Sequence, residues 1–141
     1  MNCKNIVFGA IAFAVIAQVV HMAEAMLTMS YYTDPAYFDV WSKVMMPGPG
    51  APPMSFYLYS ISFALIAGAL FTYVYTVVRN GLPKKGAGVK YGALVWLVAG
   101  LPGSMTMYLL FNLPASLFAI WAATALIVHV AAGWAVEKIA G

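Results

Sequence analysis

The stretch Phe56–Val78, FYLYSISFALIAGALFTYVYTVV, decides the fold: 23 residues without a charge. As an α-helix it is about 35 Å long, enough to cross the roughly 30 Å hydrocarbon layer of a bilayer. Apolar residues cover all of its faces, as expected of a helix embedded in lipid. A barrel strand would instead need alternating segments of about 10 residues.

Three further stretches read the same way: Ile6–Leu27, Tyr91–Phe111 and Ala115–Val136. The composition agrees. Of the 141 residues, 64% are hydrophobic and 8% charged, and the mean hydropathy is +0.87. A soluble domain is about 45–50% apolar and about 25% charged. A chain this short could not hide so much apolar surface in water. A soluble enzyme, a disordered chain and a disulfide-rich scaffold are therefore excluded. The single cysteine, Cys3, rules out an internal disulfide.

The expected architecture is one all-α transmembrane domain over residues 1–141. Its four spans form an up-down-up-down bundle with a short outer interfacial helix. The first span has a rival reading as a secretory leader. Met1–Asn5 would be the basic n-region, Ile6–Val20 the apolar h-region and Ala23-Glu24-Ala25 the cleavage site. The uncleaved helix is the expectation carried forward.

Orientation follows from the basic residues. Arg79, Lys84, Lys85 and Lys90 lie between the second and third spans, Lys4 precedes the first and Lys138 follows the fourth. Only Lys43 falls on the opposite side. Both termini are thus expected in the cytoplasm, in a multi-pass cell-membrane protein with the Ser30–Ser55 loop outside. The basic residues are too few and too scattered for nucleic acid.

In the outer loop, Asp34-Pro35 reads as a helix start. Tyr37, Val40, Trp41 and Val44 follow at helical spacing, and Pro47 ends the pattern. Tyr31, Tyr32, Tyr57, Tyr59 and Tyr108 suggest an aromatic belt. The Met46–Pro53 stretch reads as a stiff return. Asn80-Gly81 is the expected cap of the second span. Asn112-Leu113-Pro114 reads as a tight hairpin, and Pro102-Gly103 as a kink in the third span. Ser60, Ala64 and Gly68, and again Ala119 and Ala123, form small-residue stripes suited to close helix contact.

Polar residues inside spans are candidates for function, because burying them in lipid is costly. There are four: Gln18, His21, Glu24 and His129. His21 and Glu24 share a face and could form an outward-facing protonatable or ligand pair. Met22 and Met26 beside them add soft thioethers, which makes His21, Met22, Glu24 and Met26 a candidate copper site. The Met-xxx-Met spacing is similar to that of copper-uptake channel proteins. The plainer alternative is packing, for which methionine is well suited. His129 is either a helix–helix hydrogen-bonding residue or a single cofactor ligand, such as a haem ligand. His21 and His129 are expected roughly 15 Å apart along the membrane normal, too far to share one haem. Trp41, Met45, Met46, Met105 and Met107 mark an aromatic and Met-rich outer face suited to partner contact.

The start KNIVFGAIA, the loop RNGLPKKGAGVKYG and the hairpin NLPASL resemble a broad set of small, uncharacterised prokaryotic four-helix membrane proteins. That resemblance implies topology but no activity and no site residues. No nucleophile–base pair, phosphate loop or two-carboxylate site occurs, so catalysis by this chain alone is not expected. The leading expectation is an accessory or structural subunit of a larger membrane complex, in contact with other membrane subunits or further copies of itself. The alternatives are a small copper or solute binding or transport protein, and a redox subunit with a His-ligated cofactor.

Overall fold

The computed structural model describes residues 2–48 and 50–141. Met1, in the leader reading, and Pro49, in the expected stiff return, lie outside the described residues. Most of the described residues are helical, and none of them lies in a strand. The elements are α1 (Cys3–Leu27), α2 (Met29–Thr33), α3 (Met54–Val78), α4 (Ala87–Val95), α5 (Leu101–Leu110) and α6 (Ala115–Ala140). Four helical stretches are long and apolar enough to cross a membrane: Cys3–Leu27, Met54–Gly81, Ala87–Leu110 and Ala115–Ala140. Each matches an expected span to within about one turn.

Local chemistry sets several ends. The Asn2 side chain accepts from the Lys4 amide at 3.1 Å and caps α1. The Glu137 carboxylate accepts from the Gly88 amide at 2.9 Å and so satisfies a free N–H at the start of α4. The Arg79 guanidinium donates to the Ala140 carbonyl at the end of α6.

Helix α1 packs between α3 and α6, and α6 packs in turn on α4 and α5. Gly9 lies against Thr72, Gly68 against Ala10 and Phe13, and Gln18 against Ser60. Residue numbers rise on α1 as they fall on α3, so this pair is antiparallel. Gly88 meets Gly133 and Gly92 meets His129 in the same opposed sense between α4 and α6. Here backbone touches backbone. A Cβ on Gly88, Gly92 or Gly133 would overlap a main-chain carbonyl of the facing helix. Such approach maximises dispersion contact where lipid removes the hydrophobic drive between helices.

Two apolar clusters hold the helices. Phe13, Phe71, Tyr75, Tyr91, Val128 and Val136 belong to the first, nearer the chain termini. The Tyr91 hydroxyl donates to the Phe71 carbonyl at 2.7 Å and pins α4 to α3. The second cluster lies at the loop end, where Trp41, Met46, Leu113, Leu117 and Phe118 are buried. Between these clusters α3 follows α1 and scarcely touches α6. That divergence opens a cleft.

The structure corrects three local expectations. The loop helix starts as expected, with Asp34 accepting from the Ala36 amide at 2.9 Å, but it lasts only one 3-10 turn, Pro35–Tyr37. Trp41 instead turns inward. Its indole N–H donates to the Tyr31 carbonyl at 3.2 Å, and its ring packs on Tyr32 and Trp121. Gly81 does not supply a left-handed cap: α3 ends through a 3-10 turn, Arg79–Gly81, and the positive φ of 72° falls at Gly86 before α4. The third span is interrupted one turn before Pro102, as a π-helical turn over Trp96–Gly100. There the Trp96 indole crosses to the Ala122 carbonyl at 2.8 Å. The Ser104 hydroxyl returns to the Gly100 carbonyl at 3.0 Å.

Candidate functional site

The cleft lies between α1, α3 and α6 and has a volume of about 670 Å³. Its walls are mainly apolar and aromatic, including Phe13, Phe56, Tyr59 and Phe63. Ser42 and Val44 of the loop between α2 and α3 line part of it. Besides Ser42 and the Tyr59 hydroxyl, four polar side chains line it from the helices: Gln18 and His21 from α1, Ser60 from α3 and His129 from α6.

Each of these already has one partner, and that partner defines what it has left to offer. The His129 Nδ1 lies 2.7 Å from the Ala125 carbonyl one turn back on its own helix. A carbonyl only accepts, so Nδ1 carries a proton and Nε2 is the ring nitrogen left to meet a ligand. Nε2 has no hydrogen bond among the described residues, yet no buried side-chain nitrogen or oxygen there is left unpaired. It is therefore accessible. The ring stands edge-on to Phe13 and Phe71, with centroids 6.1 and 6.0 Å away. The expected helix–helix hydrogen bond of His129 is not formed. Gln18 makes one instead, from Nε2 to the Ser60 hydroxyl at 3.0 Å.

His21 and Glu24 come together as the sequence suggests, with Nδ1 3.1 Å from the Glu24 carboxylate. Glu24 is only 6% exposed. It also acts on its surroundings. Burial, and then the Glu24 charge, push the Tyr32 hydroxyl above its ordinary pKa of 10. The two methionines do not join this pair. Met22 and Met26 are each two residues from Glu24, about 200° around the helix. They are 62% and 72% exposed on the opposite face. The four proposed copper ligands thus divide between two faces of α1. Among the described residues no three His, Cys, Asp or Glu side chains converge as a metal set.

The two histidines share the cleft but not one level. The His129 ring meets Phe13, and His21 lies eight residues further along α1, about 12 Å by helical rise. Of the expected partner-contact residues, Trp41 and Met46 are buried in the loop-end cluster and Met45 packs against it. Met105 and Met107 remain exposed on α5.

The cleft itself was not anticipated from the sequence. Its signal was the small stripe Ser60, Ala64, Gly68: Gly68 makes close helix contact, whereas Ser60 and Ala64 line the cavity.

The fold and site define a class: an all-α protein of four membrane-length helices with a mainly apolar cleft between them into which a few polar groups reach. No family model, curated protein or solved structure matches the chain.

Proposed function

We propose that this is a multi-pass cell-membrane protein, an up-down-up-down bundle with both termini in the cytoplasm, that binds a small membrane-dissolved molecule without transforming it. One observation carries the binding role: a mostly apolar cleft into which a few polar atoms converge, the usual form of a small-ligand site. The cleft's walls suit a solute that partitions into lipid, and its polar atoms suit a head group. The test is native mass spectrometry of protein released from membranes in mild detergent. A bound small molecule retained by the protein supports the reading, and wild-type protein free of any adduct contradicts it.

A second reading, the accessory subunit of a larger complex, is favoured by the α4–α5 stretch. Its most apolar window has no residue buried inside the chain, and Met105, Tyr108 and Leu109 stand exposed. Lipid would cover that face equally well, so this reading ranks second. Partner chains in the same mass spectra support it; a lone chain removes it.

The orientation has its own prediction. Cys3 is the single cysteine and is exposed. A membrane-impermeant maleimide should leave it unlabelled in intact spheroplasts and label it after permeabilisation. Ser55→Cys in a Cys3→Ser background should give the reverse pattern. Labelling of Cys3 from outside would invert the proposed orientation.

A further inference from the structure

Resting on the reading of the chain as a membrane protein, and independent of the cleft, we infer that the end of the bundle remote from the long loop binds the phosphate head groups of anionic phospholipids in the adjoining leaflet, chiefly through Arg79, Lys84 and Lys85. Contacts between elements bring six cations to this end. The Arg79 guanidinium reaches the Ala140 carbonyl, so the ends of α3 and α6 meet. The Glu137 carboxylate holds the Gly88 amide, which adds the start of α4. Gly9 of α1 lies against Thr72 of the antiparallel α3, which sets Lys4 level with the end of α3. Lys4, Arg79, Lys84, Lys85, Lys90 and Lys138 are thus gathered at one end, and all six are exposed. Glu137 is the one acidic residue beside them, and the Gly88 amide already engages its carboxylate. Among the described residues the one acid–base contact between side chains is His21–Glu24, towards the other end of α1. The chain itself therefore supplies six cations here and almost no counter-charge.

Their depth identifies the partner. Lys4 is the second residue of α1, Arg79 follows the last residue of α3, Lys90 is the fourth residue of α4 and Lys138 the third from the end of α6. Each lies within about one turn of the end of a membrane-length helix. Lys84 and Lys85 lie in the short connection between Gly81 and Ala87. This is the level of lipid head groups, where long basic side chains extend their charge to the interface. A nucleic acid or an acidic protein would need cations carried beyond that plane, and among the described residues only the short connection extends past the helix ends. A phosphodiester supplies the missing charge in a fitting form, since guanidinium and ammonium groups both donate to its oxygens. The Ala140 carbonyl takes one of the five N–H donors of Arg79 and leaves the others for a phosphate. The net charge of the lipid then decides selectivity. Phosphatidylcholine carries a trimethylammonium that would meet the same cations, whereas phosphatidylglycerol carries none.

The experiment is a native mass-spectrometric titration of the full chain, stripped of lipid by detergent exchange, with phosphatidylglycerol and phosphatidylcholine of identical acyl chains. One basic residue near an anionic membrane surface is worth roughly fivefold in affinity. Two or more cations on one head group should give wild type a preference for phosphatidylglycerol of at least about tenfold by that measure. Lys84→Gln/Lys85→Gln should bring the preference near unity. Both lysines are exposed, so the double variant is expected to fold. Lys43→Gln, in the long loop at the opposite end, should leave the preference unchanged. Ala64→Phe, which fills the cleft, should also keep it; loss there would place the lipid in the cleft and overturn the inference. Equal retention of the two lipids by wild type overturns it, as does a preference that survives in the double variant. So does retention of neither lipid, or displacement of phosphatidylglycerol by an equal concentration of inorganic phosphate. Recovery of the chain in the soluble fraction of broken cells overturns both this inference and the membrane reading beneath it.

Discussion

Replacing Gly92 by valine should cost about 3 kcal/mol of stability, the upper end of ordinary overpacking penalties. The reason is the nature of the obstacle. A Cβ at Gly92 meets the His129 carbonyl oxygen, and its neighbours are the His129 and Val130 main chain. A flexible side chain could rotate away, but a helix backbone cannot. The α4–α6 pair must separate along its length, and the Gly88–Gly133 contact one turn away loosens with it. The loss corresponds to more than a hundredfold in the folding equilibrium. It should appear as a fall in the midpoint of denaturant unfolding in mixed micelles. The internal control is Gly103→Ala, whose added Cβ has no neighbour within 4 Å. There alanine's higher helix propensity should leave stability unchanged or raise it by up to about 1 kcal/mol. Equal stability of Gly92→Val and Gly103→Ala would contradict the close contact.

Trp41→Ala is expected to cost about 3 kcal/mol, the lower end for truncating a buried tryptophan, since the irregular loop around it can partly collapse. Trp41 is 8% exposed. Its ring lies 4.8 Å from Tyr32 and 6.3 Å from Trp121 by centroid, and its indole N–H holds the Tyr31 carbonyl. Removing it releases the stretch from Phe38 to Met46. Ser42 and Val44 belong to that stretch and line part of the cleft. Ligand binding should therefore weaken although no polar group that the helices bring to the cleft is changed. Trp41→Phe keeps the ring and loses one hydrogen bond, so about 1 kcal/mol is expected. Limited proteolysis gives the local readout. The alanine variant should be cut between Phe38 and Pro53 faster than wild type, and the phenylalanine variant only slightly faster. An alanine variant as resistant as wild type would contradict the anchoring role.

These two residues also show what a sequence can and cannot convey here. The four long helices are legible because hydropathy is summed over some twenty residues and tolerates errors at either end. The Asp34 cap is legible because it is a contact between near neighbours. Trp41 is not: its burial depends on Trp121, eighty residues away, and an i, i+4 pattern in the loop imitates a helix that tertiary contacts interrupt. The Gly88-xxx-Gly92 motif was present in the sequence but hidden by a boundary. With the third span begun at Tyr91, Gly88 fell in a loop, whereas α4 starts at Ala87 and places it in the first turn. The His21–Glu24 pair was legible from spacing alone. The separation of Met22 and Met26 from Glu24 was also implied by that spacing, since residues two apart on a helix face opposite ways. The cleft was not legible, because it depends on where α3 leaves α6, and only packed helices reveal that.

If the cleft holds a molecule in the membrane, filling the cleft must expel it. The most direct measurement compares native mass spectra of wild-type protein and Ala64→Phe, a substitution that fills the cleft from α3 without touching its polar groups. The expected result is a discrete one-to-one adduct on the wild type that is absent from the folded variant. The same adduct at the same occupancy on both proteins would place the bound molecule elsewhere and contradict the account.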